Sequence, residues 1–321
     1  MYAIINDVMS HISPRSISIV VPVYNAEASL DLLVNRLSSV LDKIGLPYEI
    51  LMINDGSRDN SWQVIQHLAE KYPRLQGINL MRNFGQHNAL LCGIRTAHNE
   101  IIITMDDDLQ HPPEEIPNFI SKLAEGYDVV YGIPKKMPHA WWRNITSRAA
   151  KRFLSMIIGL KTVREIGSFR AFRTDLRRAF ADYRHPGIII DALLAWGTTR
   201  FTSIIVEEAP RDHGSSNYNL SRLFGLVFLI LTGYSTMPLR FASLLGFSLT
   251  LFGLLAFIYV LFISITEGSM PGFPFLASVI LLFSGTQLFA LGIFGEYLAR
   301  IFDRSMDRPP YIIDADTTER E

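Results

Sequence analysis

Short apolar runs and longer mixed stretches take turns along the first two thirds of this chain. Ile17-Ser18-Ile19-Val20-Val21-Pro22-Val23-Tyr24-Asn25 is rich in β-branched residues and breaks at a proline, after which apolar positions recur at helical spacing over 27–44. The alternation repeats with a strand over 48–54, a turn at Asp55-Gly56-Ser57-Arg58-Asp59, and a helix to residue 71 that Ser57 or Asp59 is placed to cap. A third strand over 77–81 leads through Arg82-Asn83-Phe84-Gly85-Gln86-His87 into a helix ending near residue 98. A fourth, Ile101-Ile102-Ile103-Thr104-Met105, runs into Asp106, Asp107 and Asp108 and stops before a proline pair. Four strands alternating with helices on short connections predict a mainly parallel sheet with helices on both faces, a Rossmann-like α/β domain. A helix over 113–125, a strand over 127–132 and weaker strands over 168–173 and 201–206 follow. Between them a basic, aromatic helix with Trp141, Trp142, Arg143, Arg148, Lys151 and Arg152 has the mix that suits a membrane surface.

Beyond residue 219 the polar positions thin out. Segment 220–236 is apolar but short, as a helix lying in the interface would be, whereas 238–265 and 273–299 are each long enough to cross about 30 Å of hydrocarbon. From 223 to 299 the only ionisable side chains apart from tyrosine are Arg240, Glu267 and Glu296, and Glu296 is expected to pair with Arg300 or reach the headgroups. Residues 266–272 hold no Lys or Arg, while Arg240, Arg300, Arg304 and Arg308 flank the other ends, so the positive-inside rule predicts two spans with both termini cytoplasmic. Gly246, Gly253, Gly285, Gly292 and Gly295 allow close helix approach, and self-association, for instance as a tetramer, is compatible with them. The division that results is an N-terminal extension over 1–16, a cytoplasmic domain over 17–218, an interfacial region over 219–236, a membrane part over 237–300 and a cytoplasmic tail over 301–321.

Composition narrows the partners. A formal net charge of −1 leaves no basic excess, so nucleic acid is not an expected partner. Residues 1–16 lack the basic start and long apolar core of a signal peptide, so the α/β domain is expected in the cytoplasm. The single cysteine, Cys92, sits in an apolar helical stretch and reads as a core residue of a protein from a reducing compartment.

Candidate chemistry concentrates at the acidic strand end, since ligands of open α/β sheets bind at the carboxyl edge of the strands. Along an extended backbone Asp106 and Asp108 point one way and Asp107 the other. Two carboxylates held that close repel unless a cation lies between them, and a hard divalent ion takes oxygen ligands of this kind while leaving places for water and substrate phosphate. The competing reading is a solvated turn before a helix beginning at Pro113, with Glu114 and Glu115 favourable in its first turn.

Pro22-Val23-Tyr24-Asn25, Asn54-Asp55-Gly56-Ser57, Arg82-Asn83-Phe84-Gly85-Gln86, Asp106-Asp107-Asp108-Leu109-Gln110-His111-Pro112-Pro113-Glu114 and Phe169-Arg170-Ala171-Phe172-Arg173 together resemble the polyprenol-phosphate glycosyltransferases of glycosyltransferase family 2. The resemblance continues through Gly295-Glu296-Tyr297-Leu298-Ala299-Arg300 and so covers nearly the whole chain, and it extends to the aminoarabinose-type members first and to plain hexose transferases after them. It implies a GT-A fold followed by a helical membrane domain. The implied reaction is inverting, metal-dependent transfer of a sugar from a nucleotide diphosphate to the phosphate of a membrane polyprenol, undecaprenol by preference, with Mg²⁺ or Mn²⁺ as cofactor. The implied location is the cytoplasmic face of the inner membrane, and the product would serve envelope glycans or lipid A. By position, Pro22, Tyr24, Asn25, Asp55, Asp106 and Asp107 would bind the nucleotide sugar, Asp106, Asp108 and Gln110 would hold the metal, and Arg170, Arg211 and Ser216 would meet phosphate, with Asp108 and Arg170 catalytic.

The chain departs from this pattern in places. Ser168 stands where Asp is common, Pro134 where Arg is common with Lys135 or Lys136 as substitutes, Asn217 where Lys is common, Asn54 for Asp and Ala26 for Glu. The metal motif is intact, but sugar identity, phosphate contacts and any base are left open. A phosphate acceptor is already anionic, so positioning can supply much of the rate without a strong base. The alternatives are a catalytically degenerate membrane scaffold, against which Asp106, Asp108 and Gln110 speak, and a processive polysaccharide synthase, which would need more spans.

Overall fold

β1 (Ile17–Val23) is buried at every position, and its alternate side chains feed two separate cores. Ile17, Ile19, Val21 and Val23 face α1 (Leu30–Ile44), whose Leu30, Leu33, Val34, Leu37 and Leu41 recur at helical spacing. α1 starts three residues later than the periodicity predicts, because Ala26 to Ser29 form a turn closed by Ser29 N–H to the Ala26 carbonyl. Its end is set by Gly45, whose φ of 75° is left-handed. The computed structural model describes residues 14–134, 167–184, 187–207, 237–266 and 272–318.

The next units are β2 (Tyr48–Asn54), α2 (Ser61–Lys71), β3 (Leu75–Leu80), α3 (Gln86–Thr96) and β4 (Ile101–Thr104). β1 pairs in parallel with β2 and β4, and β2 with β3, as the alternation predicts. Asp59 serves the start of α2, its Oδ1 accepting from Ser61 N–H at 3.1 Å and Ser61 Oγ at 2.6 Å. On the second face Val20, Leu51, Ile53, Ile78 and Ile102 pack against α3. Gly93 makes that approach possible, since a Cβ there would sit 2.4 Å from Val20 Cγ1. Cys92 is fully buried in this core.

The helix expected over 113–125 divides into a 3₁₀ turn, Pro113–Glu115, and α4 (Ile116–Ala124). β5 (Val129–Pro134), β6 (Arg170–Arg173), a 3₁₀ segment (Thr174–Phe180), α5 (Ile190–Gly197) and β7 (Phe201–Val206) follow. β6 lies antiparallel between β4 and β5, while β5 and β7 are parallel, so the sheet is mixed. The expected tail over 301–321 is not a free tail. It carries β8 (Ile313–Asp316), which pairs antiparallel with β3 and completes an eight-stranded sheet of order β7-β5-β6-β4-β1-β2-β3-β8. Residues 1–216 and 307–321 form one compact unit, which covers an edge that β3 would otherwise expose.

The second unit, 217–306, contains α6 (Met237–Thr266) and α7 (Phe273–Ser305), which coincide with the two predicted apolar segments. Among the described residues one window, Pro238–Leu255, with mean hydropathy 1.5, has the length and composition to cross a membrane. Gly253 lets the two helices approach, because a Cβ there would lie 2.7 Å from the Phe283 ring. Glu296 pairs with Arg300 at 2.8 Å, as expected. The predicted helix around 141–152 and the interfacial segment over 220–236 lie outside the described residues.

Candidate active site

Three turns meet at the carboxyl ends of β1, β2 and β4. Asp55, 3% exposed, follows β2 and accepts the N–H groups of Phe84 at 2.7 Å and Gly85 at 2.9 Å, so its carboxylate ties the β2–α2 turn to the β3–α3 turn. Burial outweighs those two bonds and the nearby Arg82 charge, and pushes the Asp55 carboxyl above its usual range. Gly56 has φ 62°, and a Cβ would collide with the Arg82 and Asn83 backbone at 2.5 Å, so only glycine fits the crossing. Asn25 turns the chain after β1 with φ 53°; its N–H donates to Ser57 Oγ at 3.0 Å and its Oδ1 accepts from Arg58 N–H at 2.8 Å.

β4 ends at Thr104, so the three aspartates lie beyond the strand, Asp107 and Asp108 in a bend. The strict alternation expected of them therefore does not hold, and all three line one cleft of about 390 Å³ together with Pro22, Tyr24, Asp55 and Gln86. Asp106 is clamped: Gln86 Nε2 donates to its Oδ1 at 2.7 Å and Ser168 Oγ to its Oδ2 at 2.6 Å. Asp107 accepts the Tyr24 N–H at 3.1 Å, while Ser29 Oγ donates to its backbone carbonyl at 2.7 Å. Burial, reinforced by the charges of Asp106 and Asp108, pushes the Asp107 carboxyl up to about 6 against the Tyr24 bond. Asp108 is exposed, and Leu109 at φ 61° brings the Gln110 N–H to its Oδ1 at 3.2 Å.

The donor set fits a hard divalent cation. Each Asp106 oxygen accepts one hydrogen bond and keeps a lone pair, and Asp108 presents its carboxylate openly beside it. Among the described residues no group of three His, Cys, Asp or Glu side chains forms a closed cage. A site of two carboxylates that leaves the other positions to phosphate and water is the kind Mg²⁺ or Mn²⁺ takes.

Arg170 is placed differently from the expectation. It is 2% exposed, its Nη1 pairs with Asp191, its Nε donates to Thr104 Oγ1 at 3.0 Å, and Tyr131 Oη donates to Asp191 Oδ1 at 2.9 Å. With Nη1 and Nε engaged inside the protein it does not line the cleft. His87, at the start of α3, accepts the Ile190 N–H on Nδ1 at 3.5 Å, and burial followed by the Arg170 charge lowers its pKa, so its imidazole is neutral at neutral pH. Arg211 and Ser216 lie outside the described residues. Gln86 and Ser168 are the site residues that sequence reasoning did not assign. Gln86 stood in a quoted motif without a role, and Ser168 registered only as a departure. A second depression of about 530 Å³, lined by Val40, Lys43, Ile44, Glu114, Pro117 and Ile120, contains none of the motif acids of the first.

A mixed Rossmann-like sheet with an acidic bend opening onto a cleft at its strand ends is the architecture of a GT-A glycosyltransferase. The same fold is found in glucosyl-3-phosphoglycerate synthase from Mycobacterium tuberculosis, solved with Mn²⁺ and UDP-glucose, at a TM-score of 0.50 and 19% identity over 71% of this chain and 80% of that one. The Glycosyl transferase family 2 domain matches residues 18–180. The undecaprenyl-phosphate 4-deoxy-4-formamido-L-arabinose transferase of Shewanella sediminis is 37% identical, over 92% of this chain and 91% of the relative. Transferases of the same name from Pseudomonas aeruginosa and Serratia proteamaculans are 36% and 33% identical, over 93% and 95% of this chain and 89% and 95% of theirs. The chain belongs to glycosyltransferase family 2, and it is an enzyme.

Proposed function

We propose that this enzyme moves a sugar from a nucleotide diphosphate onto undecaprenyl phosphate, or a close polyprenyl phosphate, for envelope glycan or lipid A modification. The observation that carries the reading is the meeting of Asp106, Asp107 and Asp108 with Pro22, Tyr24 and Asp55 in one cleft. Relatives that are undecaprenyl-phosphate sugar transferases over nine tenths of both chains support the acceptor class.

Asp106 and Asp108, with Gln110 adjacent, would hold Mg²⁺ or Mn²⁺. A bound cation of this kind supplies charge neutralisation for a leaving diphosphate. The protein's own part is positional. Gln86 and Ser168 fix the Asp106 carboxylate in one orientation, and Arg170, held by Asp191, offsets its negative charge from the buried side. Arg170 is thus a positioning residue, with direct phosphate contact left to Arg211 and Ser216. Pro22, Tyr24 and Asn25 shape the wall on which the nucleoside lies, and Asp55 braces the floor. Transfer proceeds as an acceptor phosphate oxygen bonds to the anomeric carbon from one face while the bond to the diphosphate oxygen breaks on the other, which inverts the centre. Ser168 donates to Asp106 and so is not a base, and the acceptor, already anionic, needs none.

α6 and α7 form two membrane spans in this reading, with both chain termini on the cytoplasmic side of the inner membrane. The length of both helices and the apolar window Pro238–Leu255 of α6 support it. Incubating the purified full chain with undecaprenyl phosphate and UDP-, GDP- and dTDP-sugars tests the reaction. Lipid-linked sugar that forms with Mg²⁺ or Mn²⁺ and disappears with a chelator is the expected result, and no lipid product from any donor overturns the proposal.

A further inference from the structure

We infer that the C-terminal strand sets the shape of the donor-binding loop through a one-way relay of side-chain hydrogen bonds. The inference rests on the reading of the cleft as the sugar-nucleotide site. The relay begins at Asp314 on β8, a carboxylate that at neutral pH can only accept. Asn79 on β3 must therefore turn its amide nitrogen toward it, and Nδ2 donates to Asp314 Oδ2 at 2.9 Å. The β3–β8 register shifts between Asn79 and Leu80, the kind of irregularity that re-aims a side chain.

With its nitrogen engaged outward, Asn79 offers Oδ1 inward, where Asn54 Nδ2 donates at 2.7 Å. Asn54 is 2% exposed, so its second polar atom needs a partner within the protein. That atom is Oδ1, and Ser57 Oγ donates to it at 2.5 Å. Having given its proton there, the Ser57 oxygen keeps lone pairs for the Asn25 N–H at 3.0 Å. Asn25 is where the chain leaves β1 in a left-handed turn, directly after Tyr24, which lines the cleft.

Each link is fixed by the one before it. In the reverse sense Asn79 would turn an oxygen toward a carboxylate, and the Ser57 proton would have no acceptor in the relay. One acceptor-only group, more than 200 residues from the loop it serves, thus chooses both amide orientations and the direction of the hydroxyl. Asp314, Asn79, Asn54 and Ser57 are positioning residues for the Asn25 turn.

The test uses the full chain in detergent micelles. Asn79→Asp sets an acceptor against Asp314 and should expose the Asn25 N–H to hydrogen exchange in the peptide covering the β1–α1 turn. The KM for the sugar nucleotide should rise about tenfold, the scale of one broken hydrogen bond, with kcat within about twofold. Combining Asn79→Asp with Asp314→Asn exchanges donor and acceptor while leaving an oxygen toward Asn54, so both protection and KM should return to wild-type values. Exchange changes confined to β3 and β8, or a double variant no better than Asn79→Asp, would overturn the relay. Should Asn79→Asp fail to fold, Asp314→Ala at an exposed position is read instead, with a KM rise of about threefold expected and an unchanged Asn25 exchange rate counting against the inference. A wild-type chain that processes no sugar nucleotide defeats the proposed function, while the exchange measurement still decides the relay.

Discussion

The α/β unit and the α6–α7 pair use the same apolar residue types in opposite ways. Ile17, Ile19, Val21, Leu33 and Ile103 are all 0% exposed, whereas Phe247, Phe262 and Ile265 of α6 are 68%, 65% and 77% exposed. In water, removing apolar surface stabilises a fold by about 25 cal/mol per Å², and a sheet with helices on both faces achieves this inside one chain. A helix that is apolar all round has no polar face to leave outside, and in the proposed membrane reading lipid covers the exposed side chains of α6. The difference separates the two units: the polar cleft is built in the α/β unit, and in the proposed membrane reading attachment to lipid falls to the helices.

The largest expected effect that sharpens this division comes from Asp108→Ala. Sugar transfer should fall by about a thousandfold, the scale of losing a preorganised electrostatic contact, while the protein still partitions into membranes and unfolds at an unchanged urea concentration. Activity retained within tenfold would break the assignment of chemistry to the acidic bend. Arg170→Ala is next. It leaves Asp191 buried without its partner and should cost about 3–5 kcal/mol of unfolding free energy, seen in urea titration as a lower midpoint. A stable variant with only a raised KM would instead mean that Arg170 reaches substrate.

Apolar truncation tests the comparison directly. Ile103→Ala in the sheet core should cost about 2–5 kcal/mol, and Leu254→Ala on the exposed side of α6 less than about 0.5 kcal/mol, both read from denaturant midpoints in micelles. Equal costs would erase the distinction between the two environments. The smallest effect is electrostatic. Burial works against ionisation of Asp128, but hydrogen bonds from Arg200 and Thr198 prevail and hold its carboxyl below the usual range. That stabilisation is present above the ordinary carboxylate value of about 4 and is lost as pH falls through the lower folded value. Asp128→Asn should therefore cost about 1–2 kcal/mol at neutral pH and converge with wild type in acid, which urea midpoints across pH will show.

Much of the site was legible because its signals are local. A β-branched run ending in Asp106, Asp107 and Asp108 marks a strand's carboxyl edge, and a turn at Asp55-Gly56 states its own geometry through glycine's access to positive φ. Other features were not legible. Arg170 is assigned to phosphate by its position in the family motif, which does not show which way the side chain points; its partner Asp191 lies on another element. Ser168 read only as a departure from a common Asp, and its hydroxyl donates to Asp106. Segment 301–321 read as a tail because Ile313-Asp314-Ala315-Asp316 has too little apolar character to announce a strand.

By itself the sequence determined the elements from β1 to β4, the family and the acidic strand end, since each depends on residue types at short spacings. The tertiary structure alone decided that β8 closes the sheet on β3, that Arg170 turns inward, and that Asp314 orients Asn79 and Asn54. The physical reason is that a hydrogen bond's direction and an ion pair's partner are set by what the fold brings within about 3 Å, and separation along the chain carries no trace of that distance.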